Sequence, residues 1–131
     1  ERPAYYPGAS SRQLAVVTVH PDAAVLGGDP NVPRTLVDHL DPEQADEHLF
    51  TVEAFAPVLG IVRLPGSREP GAFLDAAVAF ANDRLAGTLS AGISIHPRTR
   101  EALGGQFDRV VAELRYGTIG IAVTLLLAFA G

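Results

Sequence analysis

Apolar positions in the second half of the chain alternate between runs that fit strands and repeats that fit helices. Residues 54–64 are rich in Val, Ile and Leu, as in a buried strand, and further strands are expected at 87–95 and 117–123. Helices are expected between them, at 72–85 and 96–117. Because helical connections between strands accompany parallel pairing, the sequence predicts an α/β fold, a parallel sheet with flanking helices.

Both predicted helices carry an apolar stripe. In 72–85 the apolar residues recur at helical spacing over one wide face: Phe73, Leu74, Ala77, Val78, Phe80 and Ala81. In 96–117 Pro97 suits the first turn. Gly104 and Gly105 weaken the middle of this second helix by about 1 kcal/mol each relative to Ala.

The first half of the chain has shorter apolar runs. Residues 11–20 fit a helix or a strand equally well. Apolar pieces follow at 23–26 and 33–40, and the first of them is stopped by Gly27 and its glycine neighbour. Residues 38–48 are polar and acidic, so a solvated loop or a short helix is expected there.

Composition restricts the class of protein. The chain has 131 residues, enough for one domain with a core, and its 47% hydrophobic content excludes a disordered chain. The net charge is −5, and the ten basic residues are all Arg, scattered without a basic stripe. Nucleic acid is therefore not an expected partner.

The chain contains no cysteine, which excludes a disulfide and a thiol nucleophile within it. An intracellular, cytoplasmic location is the default expectation for such a chain, and the first ten residues lack the pattern of a signal peptide. The apolar run 117–131 is shorter than the roughly 20 residues that span a bilayer. A buried strand plus a contact surface is expected there rather than a membrane span.

Common catalytic and phosphate-binding motifs are absent: the sequence has no P-loop, no G-x-G-x-x-G and no G-x-S-x-G. His39 and His48 lie among acidic residues, and together these side chains could coordinate a metal ion. Their spacing matches no common metal site, and a solvated acidic loop explains the pattern equally well.

Glu53 is the residue that a plain core strand does not explain. It precedes the apolar run 54–64, where its carboxylate could accept two hydrogen bonds from vicinal hydroxyls such as those of a ribose. Phe55, two residues further on, would project to the same side of an extended chain and could lie against a flat ring. The alternative is a surface glutamate that happens to precede a strand.

Several segments resemble the NAD(P)-dependent aldehyde dehydrogenase superfamily. The segment from Glu53 to Val58 resembles the family's Glu-x-Phe-Gly-Pro-Val motif. Downstream, Ala81-Asn82 and Gly87 occupy the places of the family's helix end and glycine turn, and the segment from Gly117 resembles its Gly-Thr-apolar strand. Upstream, "HPDAAVLGG" and "PRTLV" resemble the family's Gly-Gly turn and Pro-Thr piece. The resemblance covers most of the chain.

This resemblance implies a role for two residues. Glu53 would bind the hydroxyls of the nicotinamide ribose, and Phe55 would pack near the nicotinamide of NAD or NADP. The family oxidises aldehydes to carboxylic acids with a cysteine nucleophile. Residues 1–131 would then be the C-terminal portion of the catalytic domain, inactive alone, with the cofactor-binding domain outside this chain. The expected partners are the missing N-terminal part of the enzyme or further copies of the chain, without nucleic acid or membrane.

Three positions depart from the family. Ala56 stands where the motif has glycine, Ala122 stands where asparagine is common, and the tail "AVTLLLAFAG" does not resemble the usual ending. These departures and the missing cysteine favour an alternative hypothesis, in which the chain is a non-catalytic binding or assembly module that kept the fold.

Overall fold

The computed structural model describes residues 6–65 and 68–122. Contacts divide the chain into two compact units, Glu1–Arg63 and Leu64–Gly131. The described helices are α1 Ala9–Val19, α2 His48–Thr51, α3 Pro70–Arg84, α4 Pro97–Leu103 and α5 Gly105–Ala112. The described strands are β1 Ala24–Asp29, β2 Val32–Leu40, β3 Val58–Val62, β4 Ser90–Ile93 and β5 Thr118–Ile121.

The strands form two sheets, whereas a single parallel sheet was expected. In the first unit β2 lies between β1, which is antiparallel to it, and β3, which is parallel to it. In the second unit β4 and β5 form a two-stranded parallel sheet. The α/β class and the parallel pairing across the helices α4 and α5 are confirmed. The expectation of one parallel sheet is wrong: β3 belongs to the sheet of β1 and β2, and β4 pairs with β5.

Helix α1 covers the three-stranded sheet of the first unit. The ambiguity of residues 11–20 resolves as helix, and Val16 on its inner side is fully buried. The amide Nε2 of the buried Gln13 donates to Oγ1 of the buried Thr35 at 2.9 Å, which satisfies both polar groups between helix and sheet. Val37 and Phe50 complete this core.

The glycine pair at 27–28 does not end the first strand. Strand β1 continues through it to Asp29, with an irregular register between Val25 and Gly28. Gly27 has a φ of 80°, a conformation that glycine adopts without strain, so a bulge fits the position better than a stop. The polar stretch 38–48 begins as the end of β2 and reaches the short helix α2 at His48.

In the second unit α3 and α5 pack together around Val78, Phe107 and Val110. The helix predicted over 96–117 is broken into α4 and α5 at Gly104, where φ is 50° and ψ is −129°. This conformation is essentially restricted to glycine, so the weak point predicted at the glycine pair is a full break. Pro97 opens α4, as expected.

No helix in the described ranges is long and apolar enough to cross a membrane. The strand expected at 117–123 is present as β5, and its Gly120 is buried. The rest of the apolar tail, 123–131, where a contact surface is expected, lies outside the described residues.

Candidate functional site

Glu53 lies in the loop between α2 and β3, residues 52–57. Strand β3 begins at Val58, four residues later than predicted, so the glutamate precedes the strand without adjoining it. Its side chain is exposed and makes no hydrogen bond or ion pair within residues 6–65 and 68–122. A carboxylate in this state has its acceptor capacity available for an incoming ligand.

Phe55 occupies an unusual backbone conformation in the same loop. Its φ is 41°, in the left-handed region that bulky residues rarely adopt. The extended chain that this expectation assumed is therefore not present at Phe55. Phe55 is 48% exposed, and its ring and that of Tyr6 meet in a T-shaped contact with 5.3 Å between centroids.

A side chain from α1 holds this loop. Nε of Arg12 donates to the carbonyl oxygen of Ala54 at 2.9 Å, and Nη2 donates to that of Phe55 at 2.9 Å. Nη2 also donates to the carbonyl oxygen of Pro7 at 3.1 Å, in the turn that precedes α1. One guanidinium thus holds the two peptide groups on either side of the Phe55 α-carbon.

The C-terminal end of the loop is fixed to the sheet. The backbone N–H of Thr35 in β2 donates to the carbonyl oxygen of Pro57 at 2.9 Å, and the N–H of Val58 donates to that of Ala56 at 2.7 Å. Ala56 is not among the described non-glycine residues with positive φ, so the backbone does not require glycine there. The alanine at this motif position therefore carries no left-handed backbone strain.

The side chains of this loop are of types that commonly contact ligands, and the sequence supplies no thiol nucleophile. The loop presents one carboxylate and one half-exposed aromatic ring, and it is anchored at both ends. Vicinal hydroxyls can donate to a carboxylate, and a planar ring can stack on an aromatic face. The sequence contains no cysteine, and the described residues hold no cluster of three or more potential metal ligands.

The histidines of the acidic stretch have other contacts. His39 lies beside the guanidinium of Arg63 and the carboxylate of Asp38, with its Nε2 3.3 Å from Asp38. Arg63 pairs with Asp38 at 3.0 Å and holds the pKa of that carboxyl below its ordinary value. His48 begins helix α2. The described geometry gives the metal alternative no support.

The Ala81-Asn82 motif has a structural position in the second unit. Nδ2 of Asn82 donates to the carbonyl oxygen of Glu113 at 2.8 Å, and Oδ1 accepts the backbone N–H of Arg115 at 2.8 Å. The hydroxyl of Tyr116 donates to the carbonyl oxygen of Ala81 at 3.1 Å. These bonds join the end of α3 to the segment that leads into β5, which explains the motif without a ligand.

Sequence reasoning missed Arg12. One signal was present: the helix around it, Ala9–Val19, contains no acidic residue that could pair with it. An arginine without an acidic neighbour at helical spacing must find its acceptors elsewhere or remain in water. The identity of those acceptors, 42 and 43 residues away, is not contained in any local pattern.

No protein-family model and no curated protein matches this sequence. Among solved structures, the chain is similar to proline utilization A (PutA) from Bdellovibrio bacteriovorus, a structure of that protein inactivated by N-propargylglycine. The TM-score is 0.59 at 22% sequence identity, and the match covers 89% of this chain. It covers 11% of the PutA chain, so this chain spans a small part of that protein's length. A likeness at this level shows a shared α/β fold.

Proposed function

We propose that this chain is part of an NAD(P)-dependent aldehyde dehydrogenase and contributes Glu53 and Phe55 to its cofactor site. The observation that carries the proposal is the loop 52–57, in which an exposed carboxylate and a half-exposed ring are held on a backbone anchored by Arg12. The ordered resemblance of several segments to that superfamily supports it, and the fold shared with PutA agrees with it.

In the proposed site this chain binds the nicotinamide riboside and orients it. The Glu53 carboxylate accepts hydrogen bonds from the two hydroxyls of the nicotinamide ribose, and the exposed part of the Phe55 ring lies against the nicotinamide. The bound nicotinamide supplies hydride acceptance. The nucleophile and the rest of the dinucleotide site belong to other parts of a longer polypeptide, because this chain has no thiol.

The first test is the intact mass and thiol count of the polypeptide as purified from its source. A mass several-fold above that of 131 residues, together with a reactive thiol and aldehyde-dependent reduction of NAD or NADP, is the expected result. Absence of aldehyde-dependent reduction with both cofactors, in a polypeptide that does carry the thiol, would overturn the proposal.

A second candidate function is a non-catalytic assembly module. The specific observation in its favour is a groove of about 360 Å³ between α3 and β4, lined mainly by apolar residues that include Leu74 and Ile93. Phe73, also in the lining, is 47% exposed. A mass that matches 131 residues, with no thiol, would favour this function, because thiohemiacetal chemistry would then be impossible.

A further inference from the structure

The Ala54–Phe55 peptide is held in a conformation that its own sequence does not favour. Phe55 has a φ of 41°, and residues other than glycine persist in this region only when their surroundings impose it. Phe55 has no glycine-like freedom, so other contacts must select this conformer. The described contacts come from two residues near the N-terminus of the unit, Arg12 and Tyr6.

The geometry of Arg12 suits this task. Its guanidinium is planar and carries five N–H donors in a fixed fork, so two of its nitrogens can address two successive carbonyl oxygens at once. Here Nε donates to the carbonyl oxygen of Ala54 and Nη2 donates to that of Phe55, both at 2.9 Å. The third bond, to the oxygen of Pro7 at 3.1 Å, fixes the guanidinium relative to the start of α1.

A lysine could not replace these contacts. Its ammonium is a single point of charge, and one nitrogen would have to satisfy oxygens that the fork reaches with two nitrogens. The backbone angles at Ala54 and Phe55 set the relative directions in which the Glu53 and Phe55 side chains leave the chain, and the Arg12 bonds to the two carbonyl oxygens restrict those angles. Freedom of these backbone angles would therefore change the position of one side chain relative to the other.

We infer that Arg12 is a positioning residue for the cofactor site: it selects the loop conformer in which Glu53 and Phe55 are both placed for the nicotinamide riboside. This inference rests on the proposed function. Arg12 touches neither the cofactor nor the aldehyde and acts through the loop backbone. Loss of the fork leaves the loop distributed over several conformers, and the apparent Kd rises in inverse proportion to the competent fraction.

The test compares Arg12→Lys and Arg12→Gln with wild type in the full-length polypeptide from the source organism. The readouts are the Kd of NADH and NADPH by fluorescence titration and, with aldehyde, KM and kcat separately. If the loop keeps its binding conformation in about a tenth of the variant molecules, the Kd and the KM of the cofactor rise about tenfold. The aldehyde KM, and kcat at saturating cofactor, then change less than twofold. Arg34→Lys, on the exposed side of β2, is the matched control and leaves every value unchanged.

Rescue separates positioning from a general loss of fold. Arg12→Ala assayed with added methylguanidinium, below denaturing concentrations, regains cofactor affinity if the guanidinium fork acts on an otherwise intact loop. Unchanged cofactor affinity in Arg12→Lys and Arg12→Gln overturns the inference. So does a fall in kcat and thermal stability with the cofactor KM unchanged, because that pattern belongs to a purely structural residue.

Glu53→Gln in the same series distinguishes the two possible failures. If Glu53→Gln weakens cofactor binding and the Arg12 variants do not, the positioning role is wrong and the cofactor site stands. If neither Glu53→Gln nor the Arg12 variants alter cofactor binding, the proposed cofactor site itself is wrong.

Discussion

The carboxylate of Glu47 lies 3.1 Å from Nε2 of His20, and the same oxygen accepts the backbone N–H of Leu49 at 2.9 Å. The Glu47 side chain is 3% exposed, so this pair connects the end of α1 to the start of α2 almost out of contact with water. It places a buried acid within the stretch that the sequence predicted to be solvated. Helix α2 leads directly into the loop that carries Glu53.

Glu47→Ala is expected to lower the free energy of unfolding by about 2–4 kcal/mol, because it removes a helix cap and a buried hydrogen-bond partner of His20. Urea unfolding of the 131-residue chain measures this. The control is Glu43→Ala, an exposed acid in the same stretch, which should change stability by no more than about 0.5 kcal/mol. Equal effects of the two substitutions would mean that the buried pair does not stabilise the unit.

Asn82→Ala is expected to destabilise the second unit by about 1–3 kcal/mol. The carbonyl oxygen of Glu113 and the backbone N–H of Arg115 both lose their hydrogen-bond partner in this variant. Asp83→Ala, at the neighbouring position, removes only an exposed ion pair with Arg115 and should cost less than about 1 kcal/mol. Thermal unfolding of both variants makes the comparison. A larger loss in Asp83→Ala than in Asn82→Ala would show that the motif asparagine is not the structural link described above.

The adjacent glycines between α4 and α5 should respond in opposite ways to alanine. Gly104→Ala forces a Cβ into φ 50°, ψ −129°, and is expected to cost about 1–3 kcal/mol. Gly105 begins α5 and has open space around its α-carbon, so Gly105→Ala should stabilise by about 0.4–1 kcal/mol through the unfolded state. Chemical denaturation of the two single variants tests this difference. Similar values for both would contradict the break at Gly104.

The cap of α3 predicts a pH dependence. The Glu69 carboxylate accepts the backbone N–H groups of Gly71 and Ala72, which lowers its pKa from the ordinary value of 4.5. A lowered pKa stabilises the fold above the unfolded value, and this contribution disappears as the pH falls through the folded pKa. Wild type should therefore exceed Glu69→Gln in melting temperature at about pH 6, and the difference should shrink toward about pH 3. A difference independent of pH would refute the assignment.

The local elements of the second unit follow closely from the sequence. The apolar spacing and the asparagine at its end predict α3 within two residues of Pro70–Arg84, and Pro97 and the glycine pair predict the start and the weak point of the next helix. These features depend on residues within a few positions of each other. Local patterns of this kind record propensity and burial directly.

The features that define the candidate site depend on distant contacts. The sequence makes Glu53 and Phe55 candidates, because a carboxylate before an apolar run is unusual and the segment around it resembles a family motif. It did not predict the left-handed Phe55 or the role of Arg12, because these depend on hydrogen bonds across 42 and 43 residues. The expectation of a single sheet was wrong for the same reason, since periodicity identifies a strand without identifying its neighbour.

The proposed binding of the nicotinamide ribose by Glu53 is tested most directly by comparing the Kd of NADH and NADPH between the wild-type full-length polypeptide and its Glu53→Gln variant. Loss of charge-assisted hydrogen bonds of about 1.5–3 kcal/mol predicts a Kd that is about 10- to 100-fold higher in the variant. Glu43→Gln, which makes the same change of charge at an exposed position outside the loop, should leave the Kd unchanged. Equal Kd values for wild type and Glu53→Gln would contradict the claim.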